Sequence, residues 1–472
     1  MVLHLIKQIL LLLLLSPLLV ACNHGDNNSC GSAWVGGQIV NPKKDYVVLS
    51  QSRRIIDTVY LDQDNFFKYQ LEGLEPGIYF FSHFEYQAMY LEPGDSLMFR
   101  VNTMEFDESL TYTGKGAGKN NLMMELFLLN EQENSLLPGM YKLPAAQFEE
   151  ALDSLKRNRT TVYEDFVIRE RPSKGYKDVV RASIDYDFYS KRELFIAANL
   201  RRQVYDTTQP IPQSFYDFRK HVDLGSEELR SYYPYYRYIG YYLDNLAFEQ
   251  YQGKQAYNRD SYLHNRYKME LIDSLITNDS LRNSLLRTAA ARYFLNAQNE
   301  HNEWDILERF TNLSSNERDH KELTGLAEAT IQLTPGHTIP NLALLTTEHE
   351  VKELHSCFKR PTVLYFWSAE SVSHYKKIHK RASNLRHKYP EFDFIAINID
   401  THFGKWKQVV SASGYQPKYE YQFERFDIAE MKLIINSVNK SMIVDTDGSI
   451  VSGNTNLFGG HIEQQMLGYL NN

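Results

Sequence analysis

Hydrophobic positions change their spacing twice along this 472-residue chain. The chain starts with an apolar run over residues 9–21, broken only by Ser16 and Pro17. That run is shorter than the ~20 residues a membrane span needs, and behind the weakly basic His4 and Lys7 it suits the core of an export signal. A polar stretch, 23–29, reads as a tether. Short runs rich in β-branched and aromatic residues follow at 34–40, 46–50, 58–61, 66–71, 77–84, 88–91 and 96–101. Turn residues separate them, among them Asn41-Pro42, Glu75-Pro76-Gly77 and Glu92-Pro93-Gly94-Asp95. Evenly spaced short strands of this kind predict a β-sandwich over 31–113.

From residue 114 to 333 the apolar period becomes helical, with Leu122, Met123, Leu126 and Leu129 at the front and Leu271, Ile272, Leu275, Leu281, Leu285 and Leu286 further on. A glycine-rich stretch, Gly114-Lys115-Gly116-Ala117-Gly118-Lys119, lacks the spacing of a phosphate loop, and Asn120 stands where a hydroxyl would have to reach Mg²⁺. It reads as a flexible connector. Tyrosines crowd residues 232–242, and packing between helices is the reading preferred over a ligand surface. The last segment, 334–472, alternates again. A linker and first edge strand over 334–342 lead to a buried strand at 361–367, a helix over 371–389 and a buried strand at 392–399. This is a βαβ unit. Beyond it come a helix over 427–435, a strand at 441–445, an Asp447-Gly448 turn, a short strand and a final helix from His461.

Composition narrows the function classes. A formal net charge of −8 without a basic run argues against nucleic-acid binding. Three cysteines, Cys22, Cys30 and Cys357, make no disulfide framework. No metal centre is expected. His349 and His355 are not at the i, i+4 spacing of a helical zinc pair despite the nearby Glu350 and Glu353, and Asp445 with Asp447 lacks the third oxygen ligand of a calcium loop.

Leu19-Val20-Ala21-Cys22 resembles the lipobox of bacterial lipoproteins. The resemblance implies cleavage before Cys22, lipidation of its thiol and acylation of the new amino group, with palmitate among the acyl chains. More than one acyl chain gives stable membrane anchoring where one is marginal. Asn23, in place of aspartate, implies by the same resemblance an outer-membrane lipoprotein of the cell envelope, facing the periplasm.

Pro335-Gly336, Ile339-Pro340, residues 362–368 (Thr-Val-Leu-Tyr-Phe-Trp-Ser), Asn398-Ile399-Asp400 and Ile443-Val444-Asp445 together resemble the thioredoxin-like family, in its periplasmic branch of anchored disulfide reductases. The phrases Asp57-Thr58-Val59, Phe66-Phe67 and residues 91–96 resemble the sandwich that precedes such modules in Bacteroidetes envelope lipoproteins. The expected architecture is therefore multidomain α+β and α/β. It has a signal peptide (1–21), a tether (22–30), a β-sandwich (31–113), a helical region (114–333) and a thioredoxin-like α/β domain (334–472).

The family's chemistry is absent from its positions. Counted from Phe366-Trp367-Ser368, the two cysteines of its redox motif fall on Ser371 and His374, and its cis-proline falls on Asn439. Disulfide exchange needs a thiolate to attack and a second thiol to resolve the mixed disulfide, and neither Ser371 nor His374 supplies one. Glu370 would oppose a nearby anion. A Ser371–His374 nucleophile lacks an orienting acid and an oxyanion hole. Ser371 is expected instead to cap the helix through its side chain, and His374 to be a solvated first-turn residue. Cys357 is expected to be a buried structural thiol. No catalytic residue and no cofactor is assigned, and enzymatic activity is left open with the absent cysteines weighing against it. The reading is a lipid-anchored envelope protein with a redox-inactive thioredoxin-like domain that binds an envelope protein or peptide; the alternative is a thiol–disulfide oxidoreductase.

Overall fold

The computed structural model describes residues 31–471 except 53, 204–210 and 297–298. Cys22, Cys30 and the export signal lie outside the described residues. Two compact units emerge. One holds the residues up to Gln132 with Arg159–Val180, and the other holds Glu133–Asn158 with Arg181–Asn472.

The first unit contains the β-sandwich that the strand pattern predicts, and one of its sheets is mixed, since the strands Gly31–Val40 and Ser96–Asn102 run parallel. Strands β1 (Gly31–Val40), β4 (Phe66–Leu74), β7 (Ser96–Asn102) and β8 (Thr111–Lys115) form one sheet in the order β4-β1-β7-β8. Strands β2 (Tyr46–Gln51), β3 (Arg54–Tyr60), β5 (Gly77–His83) and β6 (Glu85–Leu91) form the other, in the order β3-β2-β5-β6. Alternate residues of both sheets, such as Val35, Ile39, Val47, Leu49, Phe81, Leu97 and Phe99, meet in one core. β8 is not visible in the sequence pattern because Gly114 interrupts it and only Tyr112 in it is apolar. The stretch expected to be a flexible connector is an ordered junction between β8 and helix α1 (Ala117–Asn134). Gly114 has φ +86°, and a Cβ there would come within 2.2 Å of the Ser96 carbonyl oxygen, so no other residue fits. The Lys119 ammonium pairs with Asp95 at 2.9 Å and also with Glu92, while the Asn120 side chain bonds the backbone N–H and C=O of Tyr90. A lysine and asparagine committed in this way cannot cradle phosphate.

Helices α2 (Ala145–Glu170) and α3 (Lys174–Gln203) each contribute to both units. The second unit continues with α4 (Tyr233–Tyr251), α5 (Tyr262–Leu275), α6 (Asp279–Asn296), α7 (Glu300–Leu313) and α8 (Glu317–Ile331). Helix starts follow the usual capping chemistry: the side chains of Ser261, Asn299 and Asn316 each accept from a backbone N–H of the following first turn. The tyrosine stripe is mainly packing, as expected. Tyr235 and Tyr238 are fully buried, Tyr186 stands edge-on to Tyr235 at 4.9 Å, and the Tyr235 hydroxyl donates to the Asp223 carbonyl.

The same unit holds a seven-stranded sheet in the order β10-β9-β13-β12-β11-β14-β15. Its strands are β9 (Ala343–Leu345), β10 (Val351–Glu353), β11 (Thr362–Trp367), β12 (Asp393–Asn398), β13 (Glu420–Phe423), β14 (Lys440–Val444) and β15 (Ile450–Asn456). β11 and β12 run parallel across helix α9 (Val372–Lys388), which is the predicted βαβ unit. All of β11 is buried, because helices cover both its faces. Leu364 and Phe366 face one core with Leu344, Ile397 and Met442; Val363, Tyr365 and Trp367 face the other with Tyr375, Ile378 and Ala382 of α9. Helices α10 (Phe403–Ser413), α11 (Phe426–Leu433) and α12 (Ile462–Leu470) complete the layers. The edge strand expected over 334–342 is displaced: β9 starts at Ala343 and lies inside the sheet, between β10 and β13. Irregular chain precedes it because Pro335 and Pro340 cannot supply the N–H groups that a ladder needs.

Candidate functional site

The residue count places the cysteines of the resembled family on His374, in the first turn of α9, and on Ser371, in the turn between β11 and α9. The carboxylate of Asp400, just beyond β12, holds that turn in shape. Its Oδ1 accepts from the Ser368 hydroxyl at 2.6 Å, and its Oδ2 accepts from the Ala369 N–H at 2.6 Å and the Asn398 amide at 2.9 Å. Gln422 on the neighbouring strand β13 donates to both Asn398 Oδ1 and the Asp400 carbonyl. Buried polar groups of this kind stabilise only when each is satisfied, and here each strand end supplies a partner to the next.

Ser371 occupies the residue before α9 but does not cap it with its side chain, contrary to the sequence expectation. Its backbone (φ −105°, ψ 78°) departs from cap geometry and its hydroxyl makes no cap bond; only its carbonyl accepts, from the Tyr375 N–H. The Asp400 network sets the turn, and the serine follows it. Glu370 is exposed and bonded to Lys405 at 2.5 Å, so its charge is already partnered.

His374 also differs from the expectation of a solvated residue. It is half-buried, and its Nε2–H donates to Asn439 Oδ1 at 3.0 Å. His374 and Asn439 are therefore joined, imidazole to carboxamide. Burial pushes the His374 pKa below its ordinary value, with the neighbouring His379 adding to that and the Asn439 bond opposing it, so the ring is neutral at pH 7. With Nε2 protonated, Nδ1 carries the lone pair; it is buried and unpartnered. Among the described residues no hydrogen bond joins Ser371 to His374, so a serine nucleophile is not assembled.

The loop carrying Asn439 is stapled from behind by Lys440. This lysine is buried, and its ammonium donates to the carbonyls of Leu433 (2.7 Å) and Ile434 (3.1 Å). Burial lowers its pKa to about 8. No cis peptide occurs among the described residues, in keeping with asparagine at 439. Sequence reasoning missed the roles of Asp400 and Lys440. The Asn398-Ile399-Asp400 phrase was visible, but its targets lie some 30 residues away across the sheet.

Cys357 lies in a short helical turn, half-buried and packed against the core that holds Leu364 and Phe366. Helix α9 packs on the opposite face of the sheet. Burial raises the Cys357 pKa, which keeps it a thiol at neutral pH. The candidate metal residues are spread among structural tasks. His355 bonds the Ile339 carbonyl, Glu353 takes the Asn341 amide and the His349 ring packs on Phe403. No group of three ligating side chains occurs among the described residues.

A family model described as thioredoxin-like matches residues 359–450. Among solved structures, the chain is similar to a thioredoxin-like protein from Bacteroides caccae ATCC 43185, at 12% identity, 56% of this chain, 95% of that one and a TM-score of 0.38. It is similar to the thioredoxin domain of a thiol-disulfide oxidoreductase from Bacteroides vulgatus, at 15% identity, 29% and 96% coverage and a TM-score of 0.24. A thiol:disulfide interchange protein from Bacteroides sp. is similar at 16% identity, 26% and 82% coverage and a TM-score of 0.23. No curated protein matches the chain. The β11–α9–β12 unit, the antiparallel β14 beside it and the matched segment agree: the C-terminal region of this chain carries a thioredoxin-like domain.

Proposed function

We propose that this protein is a lipid-anchored component of the bacterial cell envelope whose thioredoxin-like domain binds a ligand without exchanging disulfides. One observation carries the reading. The two positions that bear the family's cysteines hold Ser371 and His374, and His374 is engaged with Asn439, while Cys357 packs on the far side of the sheet. A hydroxyl and a neutral imidazole cannot form or resolve a mixed disulfide. The test is turbidimetric reduction of insulin by dithiothreitol with and without the purified protein. The expected result is no acceleration. Acceleration that disappears in Cys357→Ser would replace this reading with one-cysteine oxidoreductase chemistry.

The anchoring part rests on the lipobox ending at Cys22 and the polar stretch behind it. Two acyl signals at one residue give a durable attachment to an outer membrane, with the protein facing the periplasm. Labelled palmitate is expected to enter the wild-type protein and to be absent from Cys22→Ser, which should then leave the membrane fraction. Retention of the unlabelled variant in that fraction would remove the claim.

A further inference from the structure

A cavity of about 690 Å³ opens beside Asn439, with Asn258, Asp260 and Asn296 on the helical side and Asn436, Asn439 and Asn456 on the side of the sheet. That volume is within the range of roughly 300–1,000 Å³ typical of small-ligand sites. Its lining is polar but electrically quiet. Asp260 pairs with Arg292 at 3.0 Å, and the Lys440 ammonium is spent on two carbonyls. Neither charge is left to attract an ion.

The amides are oriented before any ligand arrives. Asn258 Oδ1 accepts from the Asp260 N–H, Asn439 Oδ1 from His374 and Asn456 Oδ1 from the Phe458 N–H, so each of the three leaves its NH₂ end as a donor. Asn296 is tied the other way: its NH₂ donates to the Arg292 carbonyl and its oxygen remains as an acceptor. The two sides are held at fixed separation, since the Asn454 amide donates to the Leu295 carbonyl at 2.7 Å and Gly453 abuts the Leu333 backbone. Fixed donors and acceptors reduce the ordering cost of binding. Phe458, between Asn456 and Gly459 in sequence, keeps 46% of its surface exposed.

We propose that this cavity binds a short neutral oligosaccharide. Sugar hydroxyls both donate and accept, which suits a ring of carboxamides. A peptide would need apolar pockets for alternate side chains, and among the described lining residues only Leu295 and Ile462 are aliphatic. An anionic ligand would need an uncommitted cation. The inference names the ligand class for the non-redox binding reading above.

The experiment presents the mature full-length protein, in detergent, to an array of neutral oligosaccharides of glucose, galactose, mannose and N-acetylglucosamine, alongside an unfolded carboxymethylated protein as peptide probe. Retention of at least one sugar is expected, and no retention of the peptide probe. Calorimetric titration of the retained sugar should weaken about three- to tenfold in Asn258→Ala and in Asn456→Ala, the effect of one lost hydrogen bond. Asn296→Trp, which fills the cavity, should abolish it, and unchanged thermal unfolding of each variant shows that the fold is intact. Retention of no sugar, retention of the peptide instead, or affinity unchanged in all three variants overturns the proposal. Sugar binding in a protein that also reduces insulin would overturn the non-redox reading and leave the cavity assignment standing.

Discussion

Gly453→Ala is expected to destabilise the second unit by about 3 kcal/mol, the upper end of the usual range for overpacking. A Cβ at this position in β15 falls 1.8 Å from the Leu333 carbonyl oxygen, 2.9 Å from its carbon and 3.3 Å from its Cβ. Two of those atoms are backbone, so no side-chain rotation relieves the clash; the strand must move away from the end of the helical segment. The Asn454 bond to the Leu295 carbonyl would be lost with it. The measurement is the urea midpoint of the full-length protein against wild type. A fragment beginning at Thr334 supplies the control, because it lacks Leu333. That fragment is expected to unfold cooperatively, since both faces of its sheet carry their own apolar clusters. In it Gly453→Ala should change stability by less than about 0.5 kcal/mol, as for a substitution without a clash. Equal losses in both proteins, or none in the full chain, would contradict the close-contact account.

Glu303→Gln is expected to stabilise the protein at neutral pH by up to about 3 kcal/mol. Glu303, in α7, is completely buried; its Oε2 lies 2.7 Å from the Thr330 hydroxyl and its Oε1 has no partner. Burial raises its pKa to about 7 from 4.5, with Glu300 adding to that and the Thr330 bond opposing it. The protonated acid suits the site. Its O–H donates to Thr330 Oγ1, whose own proton goes to the Ala327 carbonyl at 2.9 Å. Below pH 4.5 the side chain is neutral folded and unfolded, and it costs nothing. Between pH 4.5 and about 7 the unfolded chain releases the proton while the folded one keeps it, so stability falls as pH rises. Above that window the full penalty applies, about 3 kcal/mol at 1.36 kcal/mol per pH unit. Glutamine donates to Thr330 without ionising, so the variant should match wild type near pH 4.5 and exceed it increasingly toward pH 8. A constant difference across that range would refute the assignment.

The architecture was readable where the chain alternates. Seven of the sandwich strands, β11, β12, β14 and the Asp447-Gly448 turn all follow local pattern, since a half-buried strand, a fully buried strand and a tight turn each select residue types over a short window. β8, β10, β13 and α10 are not legible in the sequence pattern. Gly114 interrupts the first, β10 and β13 are only three and four residues long, and α10 intersperses Gly404, Lys405, Lys407 and Gln408 among its apolar residues. Short windows do not contain enough period to recognise.

The chemistry divides in the same way. That Ser371 and His374, and not cysteines, follow Phe366-Trp367-Ser368 is a property of the sequence, because residue identity needs no coordinates. What the replacing residues do there is a property of the fold. Ser371 was expected to cap α9 and does not, because Asp400 shapes the turn from another strand. His374 was expected in water, yet it bonds Asn439, 65 residues away. The amide-lined cavity gathers Asn258 and Asn439 across 181 positions of chain. Local propensity acts over a turn or a strand, whereas hydrogen bonds and burial act over a few ångströms of space. Only the folded chain brings those distant residues within reach.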